Sequence, residues 1–134
     1  MGTASDIELI AGVYDAIRKG DVGSIIDHLT DNINWWYYAP QVVPFAGHHY
    51  SREGVLAYLR NVSEVLESQQ MNAREFATSR NLVVALGWQK ARVRITGKVF
   101  ETHWAHAYTF EAGLITSVRE YVDAAAVAAA FTLS

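Results

Sequence analysis

Apolar residues at Ile7, Ile10, Val13, Tyr14 and Ile17 recur at spacings of three and four, the period of a helix, and Ser5 or Asp6 ahead of them can accept from its free amides. An amphipathic helix is predicted, ending at Gly20. Asp21 then caps a short second helix carrying Ile25, Ile26 and Leu29. At INWWYYAP the pattern changes to β-prone residues, with Trp35 and Tyr37 on one face, Asn34, Trp36 and Tyr38 on the other, and Pro40 ending the run. QVVPFAGHHY, holding Pro44 and Gly47, reads as a loop. Ser51 is placed to cap a third helix through Val55, Leu59, Val62 and Leu66, whose first turn Gly54 weakens.

The remainder alternates with period two. MNAREFATS, LVVALGWQKARVRI, VFETHWAHAYTF and LITSVREYV read as strands, the last three joined by turns at Thr96-Gly97-Lys98 and Glu111-Ala112-Gly113. Four successive strands imply an antiparallel meander. The alanine-rich DAAAVAAAF favours a short closing helix, with Asp123 at its N-cap. The expected class is α+β: a curved antiparallel sheet, cone-shaped, wrapped round the long first helix with two further helices, and a cavity left between them.

Composition narrows the function. The 134 residues suit a single domain spanning 1–134, and 51% hydrophobic with 19% charged residues is a globular profile. A net charge of -3 without a basic run argues against a nucleic-acid surface, and no apolar stretch approaches the ~18 residues of a membrane span. The start MGTASDIELIAG lacks a secretory pattern, so a cytoplasmic protein is expected. No Cys occurs, which removes disulfides, thiolate metal sites and cysteine nucleophiles. Neither a G-x-S-x-G elbow nor a Gly-rich phosphate loop is present, and His103 and His106 point to opposite strand faces, against joint metal chelation. No cofactor and no metal are expected.

The candidate chemistry lies in ETHWAHAYTF, where Trp104, His106, Tyr108 and Phe110 share one face with His106 as its single imidazole. In the next strand Leu114, Thr116, Val118, Glu120 and Val122 share a face, and the hairpin can bring Glu120 beside His106. A carboxylate there can orient the imidazole and leave a ring nitrogen free to move a proton, or the two can form a buried hydrogen bond that only fixes strand register. Tyr14 can donate to an oxyanion inside the cone or serve as core. Trp35, Tyr37, Trp104 and Tyr108 either line a surface for a flat or polycyclic ligand or pack as ordinary core, Val118 lies among them, and Gln89 is a polar wall candidate on the face it shares with Ala91, Val93 and Ile95. His48 and His49 are placed to border the cavity mouth.

The Gly20-Asp21 hinge, the stretch PFAGHHYSREGV and the closing WAHAYTFEAGLITSVREYVD resemble the SnoaL-like branch of the nuclear transport factor 2-like superfamily over nearly the whole chain. That resemblance implies a cystatin-like α+β barrel, a small apolar ligand, and a histidine and an acid on the last two strands with the acid as general acid/base, here Glu120 where the pattern has Asp. The ketosteroid isomerase arrangement is similar but matches less well: its helix tyrosine falls at Val13, its shuttling aspartate at Tyr37 and its oxyanion-hole acid at His106. The Asp-Arg-Asp arrangement of related epoxide hydrolases has no counterpart. The implied function is a cofactor-independent isomerase, cyclase or dehydratase acting by proton transfer on an apolar cyclic or carbonyl metabolite through His106 and Glu120; the alternative is a non-catalytic ligand-binding module. A homodimer through the sheet is also implied, with Trp36, Tyr38, Trp88, His103 and Tyr121 facing outwards.

Overall fold

The computed structural model describes residues 4–133. The first helical stripe forms α1 (Ala4–Lys19), which buries Ile10, Val13 and Tyr14 completely. Ser5 and Asp6 lie inside its first turn rather than ahead of it, where Asp6 complements the helix dipole. Gly20, at φ 72°, supplies the left-handed residue that ends it. The Asp21 side chain then accepts from Ser24 N–H at 3.2 Å and opens α2 (Val22–Ile26). Leu29 belongs not to that helix but to the first strand, β1 (Leu29–Tyr38), on which Trp35 and Tyr37 are buried as the alternation predicts.

Two local readings are corrected. GHHY is not loop but a short edge strand, β2 (Gly47–Tyr50), whose backbone pairs antiparallel with Asn34–Tyr37 of β1. The third helix, α3 (Ser51–Val65), stops one residue before Leu66, and β3 (Leu66–Ser79) starts there, five residues before Met71. Leu66 already has extended backbone angles and pairs with Val93, so ladder pairing overrides the weak alternation of LESQQ.

β3, β4 (Leu82–Val93), β5 (Val99–Glu111) and β6 (Leu114–Val122) form the expected antiparallel meander. The fourth helix, α4 (Ala124–Ala130), is capped by the Asp123 carboxylate, which accepts from Ala126 N–H. The strands lie in the order β2-β1-β6-β5-β4-β3, and β1 runs parallel to β6. The sheet is therefore mixed rather than wholly antiparallel, and it curls into a half-barrel that keeps the expected cone shape. The reason is the long excursion through β2, α3 and the meander, which returns the chain beside β1 in the same direction. The α+β architecture itself is as expected.

Register decides the site. His106 pairs with Glu120, so both side chains point to the same, buried face. A bulge between Thr109 and Phe110 breaks the alternation nearer the turn, so Ile115, not Leu114 or Thr116, joins Val118 and Glu120 in the interior. Strand β4 likewise ends at Val93, leaving Ile95 80% exposed rather than on the face with Gln89. On the outer face Tyr38 and Tyr121 stack ring on ring at 5.0 Å. No described helix is long and apolar enough to cross a membrane.

Candidate functional site

Three elements converge on the Glu120 carboxylate of β6. From β5, His106 places Nε2 3.2 Å from Oε1. From β1, the Trp35 indole N–H donates to Oε2 at 2.6 Å, and from α3 the Tyr58 hydroxyl donates to the same oxygen. Behind the imidazole the Tyr14 hydroxyl lies 2.7 Å from Nδ1, and the Tyr108 hydroxyl donates to the Tyr14 oxygen at 2.7 Å. The donors order themselves along this chain: Tyr108 gives to Tyr14, Tyr14 to Nδ1, and Nε2–H to Glu120. The network thus assigns His106 the neutral tautomer protonated on Nε2.

Burial sets the charges. It pushes His106 down to about 3 and Glu120 up to about 6, the latter against the opposing pull of the Tyr58 and Trp35 bonds. At neutral pH the pair is an imidazole hydrogen-bonded to a carboxylate, not an ion pair, although the distance alone would fit one. Burial also raises Tyr14 and Tyr58 well above the usual phenol value, so both stay protonated donors.

A cavity of about 160 Å³ opens against Glu120. Its walls are mostly apolar: Ile17 and Ile25 from the helix pair, Phe45 from the loop before β2, and Leu59 and Val62 from α3. Of the residues singled out in the sequence, Trp35, Tyr37, Gln89 and Glu120 line it. Tyr14, Trp104, His106, Tyr108 and Val118 do not; they form the packed half of the interior behind Glu120, with Trp104 stacked on His106 at 3.9 Å and on Tyr14 at 5.3 Å. Inside the cavity, Tyr37 is the register partner of Glu120, and burial and that carboxylate's charge together raise its hydroxyl's proton affinity. Gln89 Nε2–H donates to Gln69 Oε1 at 3.1 Å. His48 and His49 are outside the lining: His48 bonds Asn34 and stacks on Trp36, and His49 bonds the Phe45 carbonyl.

Tyr58 is the site residue that sequence reasoning passed over. Its position three residues after Val55 puts it on the apolar stripe of α3, and that spacing was the available signal. Among the described residues no cluster of three or more His, Asp or Glu side chains could hold a metal.

This chain belongs to the SnoaL-like domain family, whose sequence pattern matches residues 10–118. The family's fold is a small-molecule-binding one. Among solved structures, an NTF2-like protein from Burkholderia xenovorans LB400 is similar at 28% identity, with 98% of this chain and 99% of that one covered and a TM-score of 0.89. A putative SnoaL-like polyketide cyclase from Jannaschia sp. CCS1 shares the fold at 12% identity, 99% and 95% coverage and a TM-score of 0.85. TerC, co-crystallised with polyporic acid, shares it at 22% identity, 94% and 97% coverage and a TM-score of 0.82. No curated protein is significantly similar to the chain.

Proposed function

We propose that this protein is a cofactor-independent enzyme that moves a proton on a small, apolar, carbonyl-bearing or cyclic metabolite, with Glu120 as the group that takes and returns the proton. The observation that carries this reading is a buried carboxylate facing an apolar cavity with its proton affinity raised to about 6, near the working range of a general base. In the step, a C–H bond next to the substrate carbonyl breaks, its proton passes to a Glu120 oxygen, and the electron pair moves into the C–C–O system. Tyr37 O–H, in the same cavity, donates to the carbonyl oxygen as charge builds there. Return of the proton to another carbon completes an isomerisation. His106, with both ring nitrogens engaged, acts as a positioning residue that holds the carboxylate through Nε2–H, and Tyr14 holds the imidazole. The polyketide cyclase name of the Jannaschia neighbour and the organic acid bound by TerC support a small-molecule substrate.

The test is exchange of α-hydrogens of a cyclic ketone in D2O, followed by NMR. Glu120→Gln should slow exchange by about 10²–10⁴-fold, the usual range for losing a general base. One observation favours a second reading, a non-catalytic ligand holder: both Glu120 oxygens already accept hydrogen bonds. That reading requires equal exchange in wild type and Glu120→Gln with ligand binding retained.

A further inference from the structure

The polar residues that line the cavity fall into two groups. The inner group, Trp35, Tyr37, Tyr58 and Glu120, is buried. Trp35 N–H and Tyr58 O–H are both committed to Glu120 Oε2, which leaves the Tyr37 hydroxyl as the donor that a ligand meets there. The outer group is Ser63, Gln69 and Gln89; Ser63 and Gln69 are exposed, and the buried Gln89 amide donates to Gln69 Oε1. Strand register separates the two groups. Gln89 pairs with Thr102, whereas Glu120 pairs with His106 four residues further along β5, about 13 Å of strand. The other walls, Ile17, Ile25, Leu59 and Met71 among them, are apolar.

The site continues past its outer group. Gln69 and Met71 also line a surface hollow, whose other residues are Arg18, Gln70 and Asn72. Arg18 stands in the last turn of α1, two residues before Gly20, which lines the cavity. Among the described residues lining the hollow Arg18 alone is charged, and Gln69, Gln70 and Asn72 beside it carry amide donors. Its guanidinium lies 3.5 Å from Asp15, but Lys19 Nζ holds the same carboxylate at 2.8 Å, so Asp15 keeps a cation when Arg18 turns to the hollow.

Charge then fixes an orientation. At the inner end an anion would be repelled by Glu120 and would find no cation among the lining residues; at the hollow it meets a guanidinium fork and stays in contact with water. We infer that the ligand is a keto or hydroxy carboxylic acid bound lengthwise, with its carbonyl or hydroxyl oxygen at Tyr37 beside Glu120, its apolar body in the cavity and its carboxylate on Arg18 in the hollow. This rests on the reading of the cavity as the substrate site and names the substrate class for it. Arg18 is the residue that selects that class.

The experiment measures binding to the full chain by calorimetry with three probes: 3-(3-oxocyclohexyl)propanoate, its methyl ester, and propanoate. Wild type should bind the keto acid about three- to tenfold more tightly than the ester, the range of a charge-assisted contact at a half-exposed side chain, and the preference should shrink as salt rises. Arg18→Gln should remove the preference and Arg18→Glu should reverse it; the position is half-exposed, so neither change disturbs the core. A keto acid bound no more tightly than its ester, or a preference that Arg18→Gln leaves intact, overturns the inference. So does propanoate bound as tightly as the keto acid, because the anion is then held without the cavity, and so does no binding of any probe. Proton transfer is read separately, by hydrogen exchange. An acid preference that depends on Arg18, in a wild type that exchanges no α-hydrogens, refutes Glu120 as the base and supports the ligand class; exchange with acid and ester bound equally refutes the ligand class alone.

Discussion

The Trp35 indole N–H donates to Glu120 Oε2 at 2.6 Å across the parallel pairing of β1 and β6, so a strand far away in sequence holds down the proton affinity of the carboxylate. Burial pushes Glu120 up to about 6, and this bond opposes it. Trp35→Phe keeps a large apolar ring and deletes the donor. Glu120 should then titrate higher by about one pH unit, the equivalent of losing a hydrogen bond to a charged group. Carbon-13 NMR of the labelled Glu carboxyls reads this without any activity assay, and an unchanged midpoint would show that the bond does not tune the acid.

The buried pair makes an unusual prediction for acid stability. Glu120 has its folded value raised from 4.5 to about 6, so its contribution is present below 4.5 and lost as pH rises through 6. His106 is lowered from 6.5 to about 3, so its contribution is present above 6.5 and lost as pH falls towards 3. Between 4.5 and 6 the two slopes oppose and cancel. Urea unfolding of the wild type should therefore show no net effect of the pair across that window and a decline below 4.5, whereas in Glu120→Gln the decline should begin near 6.5. Identical pH profiles for the two proteins would contradict this assignment.

The tyrosines behind the imidazole should differ in weight. Tyr14→Phe removes the donor to Nδ1 and leaves a buried ring nitrogen without its bond, a loss of about 1–3 kcal/mol. Tyr108→Phe removes only the donor to the Tyr14 oxygen, whose own O–H bond to His106 survives, and should cost about 1 kcal/mol or less. Equilibrium denaturation of both single variants and the double variant checks the order. The double should cost less than the sum, because the two belong to one chain of bonds.

Gly87→Ala tests how tightly the interior rings are seated. The added Cβ meets the Asn72 carbonyl oxygen as well as the Trp104 indole, and the backbone cannot swing aside. A loss of about 3 kcal/mol, the upper end for an overpacked core, is expected in thermal or urea unfolding. A near-neutral substitution would mean that β3 and Trp104 yield far more readily than their packing implies.

Much of this molecule is legible in its sequence because period-two alternation and turn residues are local signals. The Glu111–Gly113 turn marks the hairpin, but its own pairing would set His106 opposite Arg119, and only the bulge between Thr109 and Phe110, which no turn residue announces, brings Glu120 there; Asp21 and Asp123 do announce their helices. The parallel neighbour of β1 left no local mark, since nothing near Trp35 encodes which strand will lie beside it. The GHHY edge strand was hidden for the same reason: four residues beside Pro44 gain their extended form from pairing with β1. At the site, the helical spacing correctly put Tyr14 inside and strand alternation Trp104 and Tyr108, but inside is not the same as lining a void. Which part of the interior stays empty depends on ring volumes and on a close approach at Gly87, neither of which a periodic pattern records.

The parallel pairing of β1 with β6 also sets an order of assembly. Trp35 and Glu120 are 85 residues apart, so their contact needs a long loop to close, while β3 to β6 can zip together through short turns. During refolding, the hairpin that joins His106 to Glu120 can form while the carboxylate is still hydrated. Its dry surroundings arrive only when β1 and α3 dock and bring Trp35 and Tyr58. The chemistry of the acid is thus a late acquisition in the life of each molecule, conferred by contacts that span most of the chain.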